Sequence, residues 1–119
     1  MQLKDRVPSV FVLNAAALTK PHTVQQLNAD LNNCGCEVAV ITQTHCNTKH
    51  TDAMMNVPEY TFHRRDRQRR RGGGVAIYVS SMLQSAIGTY AADDKRFELL
   101  WVRVTGSAEP KVVKFCTRV

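Results

Sequence analysis

Apolar residues fall in short runs separated by polar stretches, and the spacing inside each run predicts an element. Residues 8–13 read Pro-Ser-Val-Phe-Val-Leu. A brief apolar run rich in β-formers predicts a buried strand, ending at Asn14. Thr19, Lys20 and Pro21 predict a helix start, with Thr19 as the cap and Pro21 in the first turn. Val24, Leu27 and Leu31 then recur at helical spacing, while Asn28, Asp30 and Asn32 mark the polar side. Gly35 supplies the stop, since glycine takes the left-handed conformation beyond a last helical turn. Residues 37–42 (Glu-Val-Ala-Val-Ile-Thr) form a second apolar run without alternation, the pattern of a strand covered on both faces. Strand, helix and strand in about 35 residues predict a βαβ unit with parallel strands and a right-handed crossover.

Beyond Thr42 the pattern changes. Residues 45–58 are polar and irregular, with one helical turn expected at 51–55. Residues 60–64 alternate as a strand does, and residues 74–79 (Gly-Val-Ala-Ile-Tyr-Val) read as another, so the two are expected to form a hairpin around an arginine-rich loop. Residues 81–86 suggest a short helical connection. Residues 97–104 predict a strand, 106–110 a turn, and 111–115 the start of a further strand. The fold class is therefore α/β: an N-terminal βαβ unit followed by β-hairpins. No repeat or linker divides residues 1–119, which are expected to form one domain.

Charge sharpens this picture. The chain of 119 residues carries a formal net charge of +6. Six arginines (Arg64, Arg65, Arg67, Arg69, Arg70, Arg71) and Asp66 put +5 of it in residues 64–71, leaving +1 elsewhere. A near-neutral domain with one basic segment suits a polyanion such as DNA, although such runs also serve as solvated loops or localisation signals. The first residues are charged and have no apolar core behind them, so no secretory signal is expected, and no apolar run reaches the length of a membrane span. The expected setting is intracellular, without membrane contact.

Of the four cysteines, Cys34 and Cys36 form C-x-C rather than the C-x₂-C of common zinc modules. His45, Cys46 and His50 follow without a second well-spaced pair, so free thiols are expected in place of a zinc site. Gly72-Gly73-Gly74 is not a phosphate loop, because no Lys-Ser or Lys-Thr follows and the next element is a strand; its role is to let the hairpin turn. Tyr60, Phe62, Tyr78 and Trp101 are expected to pack in the core rather than stack on bases.

In open α/β sheets, ligands gather beyond the carboxyl ends of parallel strands. Asn14 follows the first strand and Gln43 the second, their ends being either adjacent or one strand apart. Each amide oxygen is able to coordinate a hard cation or meet a phosphate's partners, although polar residues at strand ends also commonly bond local backbone.

Taken in order, these segments resemble the endonuclease domain of non-LTR (LINE-type) retrotransposons, within the endonuclease/exonuclease/phosphatase superfamily. The residues that carry the resemblance are Leu13-Asn14-Ala15-Ala16-Ala17-Leu18, residues 37–45, residues 57–67, and Arg70-Arg71-Gly72-Gly73-Gly74 running into Val75-Ala76-Ile77-Tyr78-Val79, then residues 98–102. The arginine run leading into Gly-Gly-Gly-Val-Ala-Ile-Tyr-Val is the most specific part. The resemblance spans residues 8–113 and corresponds to the N-terminal half of such a domain. It implies a partial α/β sandwich of two packed sheets. It also implies Mg²⁺-dependent hydrolysis of a DNA phosphodiester, nicking target DNA to prime reverse transcription in the nucleus. By that resemblance Asn14 lies beside metal and scissile phosphate, and Gln43 stands where the family has a glutamate metal ligand.

Two departures limit the implied activity. Gln43 keeps a carbonyl oxygen but lacks the negative charge, and Mg²⁺ sites usually rely on one or two carboxylates. The later family motifs, Gly-Asp-x-Asn and Ser-Asp-His, do not occur, and residues 114–119 diverge from the family pattern. The expectation is an endonuclease fragment with weakened Mg²⁺ binding and little or no catalysis. The alternatives are a basic nucleic-acid-binding module using residues 64–71, or a remnant with no selected role. Uncovered sheet edges, with Trp101 and residues 112–113 among them, would favour self-association.

Overall fold

In the computed structural model, which describes residues 9–67, 72–88, 99–105 and 112–118, the first three elements are strand β1 (Val10–Asn14), helix α1 (Thr23–Cys34) and strand β2 (Val38–Thr42). β1 and β2 pair in parallel with Val10 opposite Val38 and Asn14 opposite Thr42. The βαβ expectation is met. Gly35 ends α1 in the left-handed region at φ 63°, its N–H reaching the Leu31 carbonyl at 2.9 Å.

The helix starts later than expected, at Thr23, and Pro21 lies outside it. The backbone explains the delay. Ala17 and Leu18 donate their N–H groups to the carbonyls of Gln43 and Thr44, both at 2.8 Å, so the chain leaving β1 still runs beside β2. It then turns twice, through Lys20 N–H to Ala17 O and Thr23 N–H to Lys20 O, before winding can begin. Thr19 therefore caps nothing; His22 holds the cap position, in the left-handed region.

A 3-10 turn, Asp52–Met55, follows β2, capped by the Thr51 side chain. Strands β3 (Tyr60–Arg65) and β4 (Val75–Ser80) form the expected antiparallel hairpin, and the first sheet has the order β1-β2-β4-β3. A second sheet, β5-β6-β7, is antiparallel throughout and comprises β5 (Gln84–Gly88), β6 (Leu99–Thr105) and β7 (Val112–Arg118). β5 replaces the helical connection expected at 81–86. Its residues are competent for helix, but pairing of Gln84 with Thr105 and Ser85 with Val104 offers the backbone a sheet partner that local propensity does not see.

Alternation along β2 and β4 divides the core in two. Ala39, Ile41, Ala76 and Tyr78 face α1 and pack with Leu18, Leu27, Leu31 and Met55. Val38, Val75, Ile77 and Val79 face the second sheet and meet Leu100, Val102 and Val104. Both faces of β2 are thus covered, which accounts for its continuous apolar sequence. β1 differs from expectation: it is an edge strand, with Val10 40% and Val12 70% exposed. The inter-sheet core stops at Val38 and Val40, one strand short of these two valines. β1 and β7 are end strands of their sheets, whereas Trp101 sits half-buried on the central strand β6. Tyr60 and Phe62 pack on the helix-side core, and the Phe62 and Tyr78 rings lie 4.8 Å apart.

His63 Nε2 on β3 and Ser85 Oγ on β5 lie 2.9 Å apart, a hydrogen bond between the two sheets. Burial holds the His63 pKa below its ordinary 6.5. The native state therefore keeps a neutral imidazole where the unfolded chain takes up a proton. The unfolded state binds more protons below about pH 6.5, so stability is full above that value and falls as pH drops through it toward the lower native pKa. Urea midpoints at about pH 7.5 and about pH 5.5 are expected to show this loss, and a His63→Gln variant to show less of it. Equal losses in the two proteins would remove His63 as the cause.

Candidate nucleic-acid interface and strand-end site

The carboxyl ends of β1 and β2 lie side by side, and the β3–β4 hairpin brings its loop to the same end. Register fixes this: Asn14 is opposite Thr42, Thr42 opposite Val75, and Arg65 opposite Val75 on the other side of β4. Pairing continues past the strands, with the Thr44 and His45 N–H groups donating to the carbonyls of Gly74 and Gly73 at 3.3 and 2.8 Å. Asn14 and Gln43, the two residues expected at adjacent strand ends, are thereby brought together, and Arg65, Arg67 and the three glycines join them.

Backbone strain collects here. Ala16 (φ 46°), Ala17 (φ 93°), Gln43 (φ 57°) and His45 (φ 58°) all have positive φ without being glycine. Such residues cost on the order of 1–3 kcal/mol each and persist where the surroundings over-determine them. The inter-strand bonds of Ala17, Thr44 and His45 are those surroundings. Gly72, Gly73 and Gly74 all lie at positive φ (79°, 63° and 84°), the region that favours glycine. A Cβ on Gly74 would overlap the Thr44 hydroxyl, and one on Gly73 would overlap the Arg67 guanidinium. Gly72 lies against His45, its Cβ position 3.5 Å from Nε2. The triple glycine thus does more than permit a turn: it lets Thr44, His45 and Arg67 approach the hairpin backbone.

The polar side chains have defined partners. Asn14 Oδ1 accepts the Ala16 N–H at 3.1 Å, and Gln43 Oε1 lies 3.3 Å from His45 Nε2. Arg64 has defined partners as well. Its guanidinium reaches Asp52 at 3.3 Å, Asp66 at 3.1 Å and the Asn47 carbonyl at 3.1 Å, with only 17% of the side chain exposed. It is a strut between the hairpin and the 47–52 segment. Arg69, Arg70 and Arg71 lie outside the described residues; their chain neighbours Arg67 and Gly72 are at the strand-end site.

The donor set does not fit Mg²⁺. Asn14 and Gln43 offer neutral amide oxygens, each already engaged, and Mg²⁺ sites usually include at least one carboxylate. Among the described residues no group of three His, Cys, Asp or Glu side chains is placed to hold a metal ion. Glu37, next to β2 in sequence, is at the opposite end of that strand and bonds Ser9. The mixed cysteine–histidine zinc set is also excluded by geometry. Cys36 precedes β2 and Cys46 follows it, so the length of a five-residue strand, about 17 Å, separates them. Cys34, Cys36 and Cys46 are free thiols, and burial raises the pKa of Cys46.

Sequence reasoning located the strand ends but missed Thr44 and His45 as wall residues and Asp66 as the partner of Arg64. A signal for the first was present in three consecutive glycines preceding a buried strand, a pattern that marks close approach to backbone.

No family model matches this sequence, and no curated protein matches it. Solved structures do match. An AP endonuclease, LMAP, from Leishmania major superposes with a TM-score of 0.71 at 17% identity, over 94% of this chain and 40% of that one. TDP2 from D. rerio, complexed with a single-strand DNA product, gives 0.61 at 16% identity, over 93% of this chain and 45% of that one. Truncated TDP2 from Caenorhabditis elegans gives 0.56 at 12% identity, over 93% and 45%. The chain therefore spans less than half the length of the structures it resembles. Its architecture is the mixed α/β fold of these AP endonuclease and TDP2 structures, over less than half of their length.

Proposed function

We propose that this chain is the N-terminal part of a DNA endonuclease of the retrotransposon type, in which the nucleic-acid-facing surface persists and phosphodiester hydrolysis does not. The observation that carries the reading is convergence. Strand ends bearing Asn14 and Gln43, the strained 43–45 segment, and the arginine-bearing hairpin meet at one end of one sheet. That is where an α/β sheet receives a ligand, and +5 of the chain's +6 formal charge is carried by residues 64–71, which include the hairpin loop. The fold neighbours add support, one being named an AP endonuclease and another complexed with a DNA product. An intracellular, nuclear setting follows from the same reading.

Catalysis is where the chain departs from that family. In the family reading Gln43 replaces a metal-binding glutamate, and the amide supplies no charge to hold Mg²⁺ or offset charge developing on a phosphate. Hydrolysis therefore has no supported route through the residues present. What they offer is positioning: arginines that engage a phosphate chain without cleaving it.

Supercoiled-plasmid nicking in Mg²⁺, run beside duplex-DNA binding, tests both halves. The expected outcome is no nicking and salt-sensitive binding by the chain and by its Gln43→Glu variant alike, since the variant restores one ligand and not a complete site. Nicking by the unaltered chain that disappears in Asn14→Ala would overturn the claim of lost hydrolysis. Absence of DNA binding at low salt would overturn the claim of a retained surface.

A further inference from the structure

At the end of the sheet opposite the strand-end site, two thiols meet. Cys34 is the last residue of α1, Gly35 turns the chain, and Cys36 leads into β2. The Cys36 N–H donates to Cys34 Sγ at 3.3 Å, and Cys34 Sγ–H points to the Leu31 carbonyl at 3.7 Å. The two thiols are also within hydrogen-bond reach of each other, which together with burial pushes the Cys36 pKa up to about 11. Their backbone is fixed on both sides: Gly35 N–H bonds Leu31 O at 2.9 Å, and the Tyr60 hydroxyl donates to the Cys36 carbonyl.

The pair is also reachable. Cys34 is exposed and Cys36 half-exposed, and nothing lies within 4 Å of where a Cβ on Gly35 would stand. Cys36 borders an open cavity of about 540 Å³ whose wall includes Tyr60 and the exposed Met82.

We propose that Cys34 and Cys36 form a two-coordinate site for a soft monovalent metal ion, copper(I) being the type. Three features select that class of ion. Thiolate donors favour soft ions such as copper(I) over hard ones. Zinc prefers four ligands, and among the described residues no third His, Cys, Asp or Glu joins this pair, whereas linear coordination uses two sulfurs only. The site also sits at the negative end of the α1 dipole, whose last turn carries no basic residue, so a cation is favoured there. On binding, each thiol releases its proton to solvent, two S–Cu bonds form, and the metal keeps its oxidation state.

The test is anaerobic titration of the reduced chain with Cu(I) in competition with a chromogenic Cu(I) chelator. The expected result is one ion held per chain, with an X-ray absorption signature of two sulfur neighbours. Affinity should rise with pH, because two protons leave on binding. Cys34→Ser and Cys36→Ser should each abolish retention; Cys34 is exposed and Cys36 is half-buried against the helix-side core. Retention by a Cys34→Ser/Cys36→Ser double variant, which keeps Cys46 and Cys116, would overturn the proposal. So would failure of the unaltered chain to hold the ion against the chelator, or a shell of three or more sulfurs.

Discussion

Replacing Arg65, Arg67, Arg69, Arg70 and Arg71 with alanine is expected to remove most of the chain's affinity for duplex DNA and nearly all of its salt dependence. Each phosphate neutralised by an arginine releases condensed counterions, with a logarithmic slope of about −0.9 per contact. Five contacts give a slope near −4.5, a loss of roughly 500-fold between about 50 and about 200 mM salt. The variant should show a nearly flat dependence. Arg64 is left out for a structural reason. It is held by Asp52, Asp66 and the Asn47 carbonyl, so Arg64→Ala should lower stability and leave the salt slope within one contact of the unaltered chain. Fluorescence anisotropy with a labelled duplex at several salt concentrations measures both. A five-arginine variant that keeps the original slope would show that DNA is held elsewhere, and an Arg64→Ala slope reduced as much as the five-arginine variant's would deny the division of labour.

The ion pairs of Arg64 were not legible in the sequence. Eight consecutive residues read as one basic run, yet alternation on β3 sends neighbouring side chains to opposite faces, so Arg64 and Arg65 have different surroundings. Composition records charge but not that a carboxylate 12 residues back in the chain, Asp52, meets Arg64. The order and parallel pairing of the βαβ unit and the end of its helix, by contrast, were legible, because their signals are local. An apolar run without alternation, a 3.6-residue spacing at Val24, Leu27 and Leu31, and a terminal Gly35 need only near neighbours to be decoded.

The errors share one origin. Pro21 and residues 81–86 both carry helical signals that the backbone does not follow, and in both cases a partner distant in sequence takes the hydrogen bonds. Gln43 and Thr44 occupy the N–H groups of Ala17 and Leu18, and β6 occupies β5. Val12 failed in the opposite sense: its apolar character was read as burial, but burial depends on whether the facing sheet extends over β1. For the site, position at strand ends was readable, while the left-handed backbone at Gln43 and His45 was not, since neither residue type announces positive φ. The consequence is that Gln43 in this chain differs from a metal ligand in two ways. It lacks the charge, and its oxygen faces His45 at 3.3 Å.

Truncating Tyr78 is expected to have the largest effect on stability of any single change in the helix-side core. The residue is fully buried at the centre of β4, its ring centroid is 4.8 Å from that of Phe62, and its hydroxyl donates to the Met55 carbonyl at 2.8 Å. Aromatic-to-alanine changes in cores cost about 3–5 kcal/mol, through lost transfer energy and the cavity left behind. Whole domains are stable by only about 5–15 kcal/mol, so Tyr78→Ala is expected to remove a large fraction of the folding stability. Tyr78→Phe separates the two contributions. It keeps the ring and leaves the Met55 carbonyl without that donor, at a cost of about 1–3 kcal/mol. Met55 ends the 3-10 turn that carries Asp52, and Asp52 holds Arg64, so the phenol tethers the segment that braces the basic hairpin. Urea midpoints of the two variants against the unaltered chain read the energies. DNA affinity of Tyr78→Phe reads the tether: a fall in affinity beyond that of Arg64→Ala would mean that the hairpin is positioned from the core outward. Unchanged affinity with lowered stability would confine the role of Tyr78 to packing and leave the arginine surface to organise itself.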